Sequence, residues 1–187
     1  MIKPLTYEQL VTYNSKKNAL EAGLGLNETS GYISPALKNA IETTILPALA
    51  NSKTNYMYTT LWVIIGKQEN KIIGGISFMG APDVNGDIEI GYGCYKEFRN
   101  KGFMKEAVRG MLEWAGNQPD VFNVTACSNK NNIASTKIIS QNKMLLINEA
   151  GGIFNWVYKI KNKMYGYHKT TVTLTQNKNY RFKQAER

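Results

Sequence analysis

The chain contains few of the residues that usually dominate catalytic and metal-binding sites. Its 187 residues include one histidine and two cysteines. We interpret the histidine, His168, as a surface residue of a basic C-terminal stretch. Cys94 and Cys127 both fall in predicted strands and lack the spacing of metal ligands. This pattern favours reduced, buried thiols in a cytoplasmic protein, and no metal site is predicted.

Long apolar runs are also missing. No segment approaches the roughly 20 apolar residues of a membrane-spanning helix, so no membrane partner is expected. Residues 1–24 lack the hydrophobic region of a signal peptide. There is no internal repeat and no low-complexity segment. Because 43% of the residues are apolar, we predict one globular domain with a sizeable core, spanning residues 1–160.

Acidic residues are scarce, and their scarcity is uneven along the chain. There are 14 Asp and Glu against 23 Lys and Arg, which gives a net charge of +9. Residues 161–187 hold seven basic residues and one acidic residue, so they account for +6 of it. We predict that residues 161–187 are a basic extension that forms an extra strand or a tail. Binding of nucleic acid by its lysines and aromatic residues is the less favoured alternative.

The most informative stretch is residues 87–115, which reads as a strand, a basic loop and an amphipathic helix. Side chains alternate along a strand, so its residues separate into two faces. The apolar face carries Ile88, Ile90, Tyr92 and Cys94. The other face carries Glu89, Gly91 and Gly93. Glycine within a strand often marks the close approach of a ligand or of another backbone.

The loop that follows has the features of an anion-binding site. Arg99, Asn100, Lys101 and Gly102 precede a helix whose apolar residues recur at helical spacing from Met104 to Ala115. The first turn of a helix has free backbone N–H groups and the positive end of the helix dipole. A solvated basic helix start with a glycine turn is the alternative interpretation.

This stretch resembles a known family. Residues 99–104, Arg-Asn-Lys-Gly-Phe-Met, followed by Glu106 and Ala107, resemble the acetyl-CoA pyrophosphate loop of the GNAT superfamily of N-acetyltransferases. The resemblance is closest to the branch that includes the ribosomal-protein N-terminal acetyltransferases. In the family pattern Gln/Arg-x-x-Gly-x-Gly/Ala, Arg99 and Gly102 match, whereas Met104 departs from the last position.

The resemblance covers about residues 60–158 and implies a fold. The expected GNAT fold is α/β (α+β), with a central mixed, mostly antiparallel twisted sheet of about seven strands flanked by helices. Local signals agree with the family order β-α-α-β-β-β-α-β-α-β-β. Thr6 is predicted to cap a first helix with Leu10 and Val11 buried, and Asn85-Gly86 predicts a hairpin turn.

The resemblance also implies a cofactor, acetyl-CoA, and the residues that hold it. The pyrophosphate is expected at Arg99, Asn100, Lys101, Gly102, Phe103 and Met104. The pantetheine arm is expected to pair with the backbone of Gly91, Gly93 and Cys94, and to contact the side chain of Asn132. Each expectation has a structural alternative. The glycines could serve close packing against an aromatic residue such as Trp62, and Asn132 could serve only as a helix cap.

Two residues are candidates for proton transfer. An amine attacks a thioester in its neutral form, so a proton must leave it, and Glu89 on the glycine-lined face is the candidate base. It could also be a solvent-facing or salt-bridged glutamate that merely orients the substrate. Ser135 completes the Asn-x-x-Ser motif of this branch and is the candidate acid for the departing thiolate. The tyrosine of many family members is missing, since Ile139 occupies its position.

We therefore predict a cytoplasmic acetyl-CoA-dependent N-acetyltransferase, present as a monomer or homodimer. It would acetylate a primary amine, from a peptide N-terminus or a small molecule, by direct attack in a ternary complex. The acceptor half of the site is expected in residues 6–55 and in a closing hairpin predicted over residues 144–160. Two alternatives remain: a non-catalytic acyl-CoA-sensing module, and a ribosome- or RNA-associated protein that uses the basic extension.

Overall fold

The computed structural model of the chain describes residues 1–31, 33–50 and 55–160. The extension predicted for residues 161–187 lies outside the described residues. Seven strands form one sheet: β1 (Ile2–Pro4), β2 (Leu61–Gly66), β3 (Lys71–Phe78), β4 (Asp87–Cys94), β5 (Asn123–Asn129), β6 (Leu145–Ala150) and β7 (Ile153–Lys159). Their order across the sheet is β1-β2-β3-β4-β5-β7-β6.

Within the described residues, six α-helices accompany the sheet: α1 (Tyr7–Ser15), α2 (Ala19–Gly23), α3 (Pro35–Ala40), α4 (Leu46–Ala50), α5 (Phe103–Gly116) and α6 (Ile133–Gln141). A π-helical turn, Ile41–Ile45, joins α3 to α4. Regular hydrogen bonding is interrupted there because Pro47, in the first turn of α4, has no N–H to donate back along the helix. Within the described ranges, no helix is long and apolar enough to cross a bilayer.

The sheet is mixed, and only one pair of neighbouring strands is parallel. β4 and β5 run parallel because α5 crosses over between them, whereas every other neighbouring pair is antiparallel. The mixed, mostly antiparallel sheet of seven strands among the described residues confirms the predicted α/β (α+β) fold. The element order differs from the predicted one in that four short helices, rather than two, lie between β1 and β2. The predicted hairpin at Asn85-Gly86, which joins β3 to β4, and the predicted closing hairpin, β6–β7, are both present.

Two apolar cores lie on the two faces of the sheet. One packs α5 and α6 against residues such as Trp62, Ile90 and Val124. The other packs α1 to α4 against β2 and β3. Glu89, Gly91 and Gly93 belong to the face that is opposite α5, because side chains alternate along β4.

One core prediction in the first helix is wrong. The Thr6 side chain caps α1 in a capping box with Gln9, as the sequence suggests. Leu10 is fully buried, but Val11 is 39% exposed. Tyr13 takes the second buried position instead, because residues three apart share a helix face whereas consecutive residues do not.

Candidate active site

The central feature of the site is a separation between the two parallel strands. β4 and β5 pair only at Asp87 with Asn123, Ile88 with Val124 and Glu89 with Thr125. Both strands then continue, β4 to Cys94 and β5 to Asn129, with no further pairing between them. On their outer sides they stay paired, β4 with β3 and β5 with β7. The sheet therefore contains a cleft between residues 90–94 and 126–129.

The pairing of β4 with β3 decides which backbone groups face this cleft. The Tyr95 N–H donates to the Ile73 carbonyl at 2.9 Å, and the Met79 N–H donates to the Glu89 carbonyl at 2.9 Å. In an antiparallel pair the residues that bond to the partner alternate with those that do not. The backbone groups of residues 89, 91 and 93 therefore face β3. Those of Ile90, Tyr92 and Cys94 point into the cleft.

Gly93 is not required by packing. A Cβ built at Gly93 would meet no heavy atom within 4 Å, whereas one at Gly74, beside it in β3, would lie 2.2 Å from the Gly93 carbonyl oxygen. Close packing thus explains the glycine at position 74 but not the one at 93. Trp62 lies on the other face of the sheet, against α5, so it does not pack on Gly93.

At one end of the cleft, the loop after β4 leads into the N-terminus of α5. Asn100 has φ 62° and Gly102 has φ 86°, so the chain turns twice through the left-handed region before the helix begins. No side chain caps α5 at Gly102, and a Cβ there would meet nothing within 4 Å. The first N–H groups of a 14-residue helix are thus presented without a steric obstruction, as an anion-binding turn requires.

The other residues of this loop act mainly through their backbone. Met104 is buried in the core, and the Phe103 ring packs edge-on against Phe98 at 6.2 Å. Methionine at position 104 therefore does not change the surface of the turn. The Arg99 Nε donates to the Cys94 carbonyl at 3.4 Å, and the Lys101 ammonium lies 5.5 Å from the centre of the Phe98 ring.

Cys94 and Cys127 differ in their surroundings. Cys94 is half-buried on the α5 side, and burial raises the pKa of its thiol, with Arg99 lowering it in part. Cys127 is exposed, so the expectation that both thiols are buried is wrong for it. Its side chain lies on the face of the sheet opposite α5, because Thr125, two residues earlier in β5, pairs with Glu89 on that face.

Glu89 lies where the two strands begin to separate. Its side chain is exposed, yet the surrounding protein removes enough water from the carboxylate to raise its pKa. A hydrogen bond from the Cys127 thiol lowers that pKa in part. Glu89 has no ion pair with Lys or Arg within the described residues. The carboxylate is therefore available as a proton acceptor on the glycine-lined face.

Ser135 and Asn132 lie on the β5 side of the cleft, at the start of α6. The Asn132 Oδ1 accepts a hydrogen bond from the Ser135 N–H at 3.0 Å, so Asn132 does cap the helix. Ser135 is buried, and its hydroxyl lies 3.0 Å from the hydroxyl of Tyr92 in β4. Burial raises the pKa of Tyr92 to about 12, so its phenol is neutral.

Sequence reasoning had assigned Tyr92 only to the core. Its hydroxyl lies beside Ser135, and its backbone groups face the cleft. The one sequence feature that bears on this role is the missing tyrosine at position 139, where Ile139 stands in the core. Residue types alone do not show which residues of β4 hydrogen-bond to β3 and which direct their backbone groups into the cleft.

The segment that precedes β2 is fixed to the end of β4. The Tyr13 and Tyr95 hydroxyls are 2.7 Å apart. Glu97, in the turn after β4, accepts hydrogen bonds from the hydroxyls of Thr29, at 3.2 Å, and Ser30. The first 31 residues are thereby attached to the loop that leads into α5.

Glu21 is an uncompensated acid within this segment. It is 3% exposed, and it pairs with no Lys or Arg among the described residues. Burial raises the pKa of its carboxyl, its own backbone N–H lowers that pKa in part, and Glu28 raises it further. The ionised form is therefore disfavoured in the folded state.

We expect Glu21→Gln to raise Tm at pH 7 by roughly 2–4 °C. This is the shift in Tm that a gain of about 1 kcal/mol in the free energy of unfolding produces in a chain of this length. An acid whose pKa is raised on folding costs stability above that pKa and nothing below the unfolded value of about 4.3. The gain should therefore disappear in thermal melts at pH 3.5. Glu113→Gln, on the exposed surface of α5, serves as the control. A gain at both pH values would contradict the electrostatic explanation.

The fold and the cleft together define a protein that can take an extended ligand between two strands, with an anionic group at the start of α5. Comparison with known proteins identifies the family to which this protein belongs. Residues 28–144 match the profile of the Acetyltransferase (GNAT) domain. Because this match covers more than half of the chain, the protein belongs to the GNAT acetyltransferase family.

A curated relative supports the same assignment. The chain is 34% identical over 100 residues to an uncharacterized N-acetyltransferase, YjdG, of Bacillus subtilis (strain 168). The aligned region is 54% of this chain and spans only 60% of that relative.

Solved structures share the fold at low sequence identity. One is a ribosomal-protein-S5-alanine acetyltransferase from Vibrio fischeri, with a TM-score of 0.63, 18% identity and coverage of 86% of this chain and 93% of that one. Another is a ribosomal L7/L12 alpha-N-protein acetyltransferase, RimL, in complex with coenzyme A, with a TM-score of 0.57, 16% identity and coverage of 85% and 93%. A third is an aminoglycoside acetyltransferase in complex with coenzyme A, with a TM-score of 0.59, 12% identity and coverage of 85% of this chain and 94% of that one.

GNAT acetyltransferases use acetyl-CoA, and the residues present here fit that cofactor. Along residues 90–94 the cleft exposes a strand edge that does not pair with β5, Gly93 leaves open space beside it, and no side chain caps the start of α5. These three observations match a thin polar arm that ends in a pyrophosphate.

Proposed function

We propose that this protein is an acetyl-CoA-dependent N-acetyltransferase that acetylates a primary amine by direct attack in a ternary complex. The observation that carries the proposal is the separation of β4 from β5 directly above an uncapped helix N-terminus. The carboxylate of Glu89 at the closed end of the same cleft, which has no Lys or Arg partner among the described residues, favours an enzyme over a module that only senses acyl-CoA. The cytoplasmic location and the oligomeric state stay predictions.

The cofactor would be held along the length of the cleft. Arg99, Lys101 and the N–H groups around Gly102 would bind the pyrophosphate, together with the backbone of Asn100, Phe103 and Met104. The cleft-facing backbone of Tyr92 and Cys94 would pair with the pantetheine arm, and Gly91 and Gly93 would leave room for it. Asn132 would contact the arm from the α6 side while it caps that helix.

Acetyl-CoA would supply the acetyl group as a thioester on this cleft. The N–H of Tyr92 points into the cleft, so it is the donor best placed to bind an oxygen there. Glu89 would accept the proton that the acceptor ammonium must lose, directly or through water. Positioning of the amine is expected to supply much of the acceleration, and no cysteine nucleophile is needed.

Ser135 would provide a proton at the opposite wall of the cleft. Its hydroxyl and that of Tyr92 form one hydrogen-bonded pair, so Tyr92 can donate to Ser135 while Ser135 donates into the cleft. This arrangement would take the place of the tyrosine that is missing at Ile139.

We expect Ser135→Ala to lower kcat roughly tenfold, while the KM for acetyl-CoA stays unchanged. The effect is smaller than the roughly 100-fold or more of a full general acid, because a thiolate leaving group needs little protonation. Tyr92→Phe should have a smaller effect in the same direction, since it removes only the partner of the serine. Steady-state kinetics of both variants test this. An unchanged kcat for Ser135→Ala would mean that the leaving thiolate needs no protonation by this serine.

The experiment that tests the function is a turnover screen with acetyl-CoA and several amine classes. Peptide N-termini, free lysine, polyamines and aminoglycosides are offered, and release of free CoA is followed spectroscopically. We expect saturable binding of CoA and turnover of at least one class. Binding without any turnover would favour a sensing module, and failure to bind CoA would overturn the proposal.

A further inference from the structure

A row of polar side chains crosses four strands on the face opposite α5. Its members are Glu89 in β4, Cys127 in β5, Asn155 in β7 and Asn148 in β6; we refer to it as the Glu89 row. The register aligns them, since Glu89 pairs with Thr125 two residues before Cys127, Cys127 pairs with Asn155, and Asn155 pairs with Asn148. Such alignment puts all four side chains on one face of the sheet.

The hydrogen bonds of this row run in one direction. The Asn155 Nδ2 donates to the Asn148 Oδ1 at 2.7 Å, which fixes the Asn155 amide with its oxygen towards β5. The Cys127 Sγ lies 3.3 Å from that oxygen and can donate to it. On its other side, the register places Cys127 two residues beyond Thr125, the partner of Glu89, on the same face and within reach of the Glu89 carboxylate. A thiol has one hydrogen, so Cys127 can donate either to Glu89 or to Asn155, and not to both.

We propose that Cys127, Asn155 and Asn148 are positioning residues for Glu89. They hold its carboxylate at the point where β4 and β5 separate. Donation by the thiol stabilises the ionised carboxylate, and the Asn155 oxygen accepts the same hydrogen when Glu89 has taken a proton. The row thus adjusts to both protonation states of the base without moving a strand. This inference rests on the proposed role of Glu89 in acetyl transfer.

The other charged groups of this face are few within the described strands. Asp87 precedes Glu89 by two residues, and it accepts a hydrogen bond from the Asn123 amide at 2.6 Å. Burial raises the pKa of Asp87, Asn123 lowers it in part, and Asp83 raises it. Lys159 pairs with Asn123 in the register and so belongs to the same face. Cys127 is the titratable group that contacts Glu89 itself.

The first test does not depend on catalysis. A carboxylate beside a thiol disfavours the thiolate, so Glu89→Gln should raise the rate at which iodoacetamide alkylates Cys127 at pH 8, by roughly three- to tenfold. Peptide mass spectrometry of the full chain separates Cys127 from Cys94, whose rate serves as the internal reference. An unchanged rate at Cys127 would overturn the inference, whatever the kinetics show.

The second test compares two substitutions of the same residue. Cys127→Val removes the donor and should lower kcat roughly fivefold, the effect of one weak hydrogen bond to a charged group. Because that bond lowers the pKa of Glu89, its loss should move the acidic limb of the kcat/KM profile to higher pH. Cys127→Ser restores a donor and should return the limb to the wild-type position or below it. A merely structural role would not separate serine from valine in this way.

The outcomes distinguish the inference from the function it rests on. If Cys127→Val has wild-type kinetics while Glu89→Gln is impaired, the positioning role is wrong and the base stands. If Glu89→Gln has wild-type kinetics, the proposed base itself is wrong and the inference fails with it. Asn155→Leu should move the acidic limb to lower pH, opposite to the shift of Cys127→Val, since it removes the acceptor that competes with Glu89 for the thiol hydrogen.

Discussion

Replacement of Glu89 by glutamine is expected to lower kcat for acetyl transfer by about 100-fold, the lower part of the usual range for a general base. Glutamine preserves the length of the side chain but cannot take a proton from the acceptor ammonium. The affinity for CoA should stay within about twofold of wild type, because the turn at residues 99–104, the proposed pyrophosphate site, lies at the other end of the cleft. Steady-state kinetics and calorimetric titration with CoA measure the two quantities.

Glu149→Gln is the matched control for this substitution. Glu149 lies in β6 of the same sheet, but its side chain belongs to the opposite face and pairs with Lys130 at 3.2 Å. Its replacement should leave kcat unchanged. Equal kcat values for Glu89→Gln and the wild type would remove Glu89 as the base.

The pH dependence follows from the raised pKa of Glu89. A base works in its ionised form, so the rate on the acidic side should climb as the pH passes the folded-state pKa, above the usual glutamate value of about 4.3. Below that pH the carboxyl is protonated, and activity should be lost. In Glu89→Gln this limb should be absent from the kcat/KM profile.

The second large effect is expected at the pyrophosphate turn. Gly102→Val should weaken the binding of CoA by about 100-fold, the effect of losing two hydrogen bonds to a charged group. At φ 86° a valine is strained, so the turn should rearrange and its N–H groups should no longer converge. The added side chain also fills space that is open here. Titration calorimetry with CoA gives the affinity directly.

Gly25→Val controls for the strain itself. Gly25 has φ 67°, and a Cβ there would also meet nothing within 4 Å, so the two substitutions carry a similar backbone cost. Both variants should show a comparable decrease in Tm, but only Gly102→Val should lose affinity for CoA. If both bind CoA like the wild type, the turn at residues 99–104 is not the pyrophosphate site.

Much of the fold follows from local signals in the sequence. The apolar stripe of α5 and the alternation along β4 define which side of each element is buried, and both are as predicted. The cap at Thr6 is also as predicted, because a side-chain oxygen acts within a few residues.

The remaining errors come from relations between elements. Alternation assigned Gly91 and Gly93 to a face, but it could not tell that the backbone groups of Tyr92 and Cys94 point into the cleft. That depends on the register of β4 with β3. The exposure of Cys127 likewise depends on which part of the sheet the helices leave uncovered. Where two strands part is a tertiary property that no short pattern encodes.

The separation of β4 from β5 has a consequence for the sheet as a whole. A sheet of seven strands ordinarily has two edges with unpaired N–H and C=O groups, and here the cleft adds two more in its interior. Outer edges invite the strands of other chains. The inner edges lie between α5 and α6 on one face and the Glu89 row on the other, so a foreign strand would need to enter among packed elements. A thin ligand arm that carries no side chains can enter between these elements without displacing them. The inner edges of this sheet therefore admit a thin ligand and exclude a β-strand with side chains.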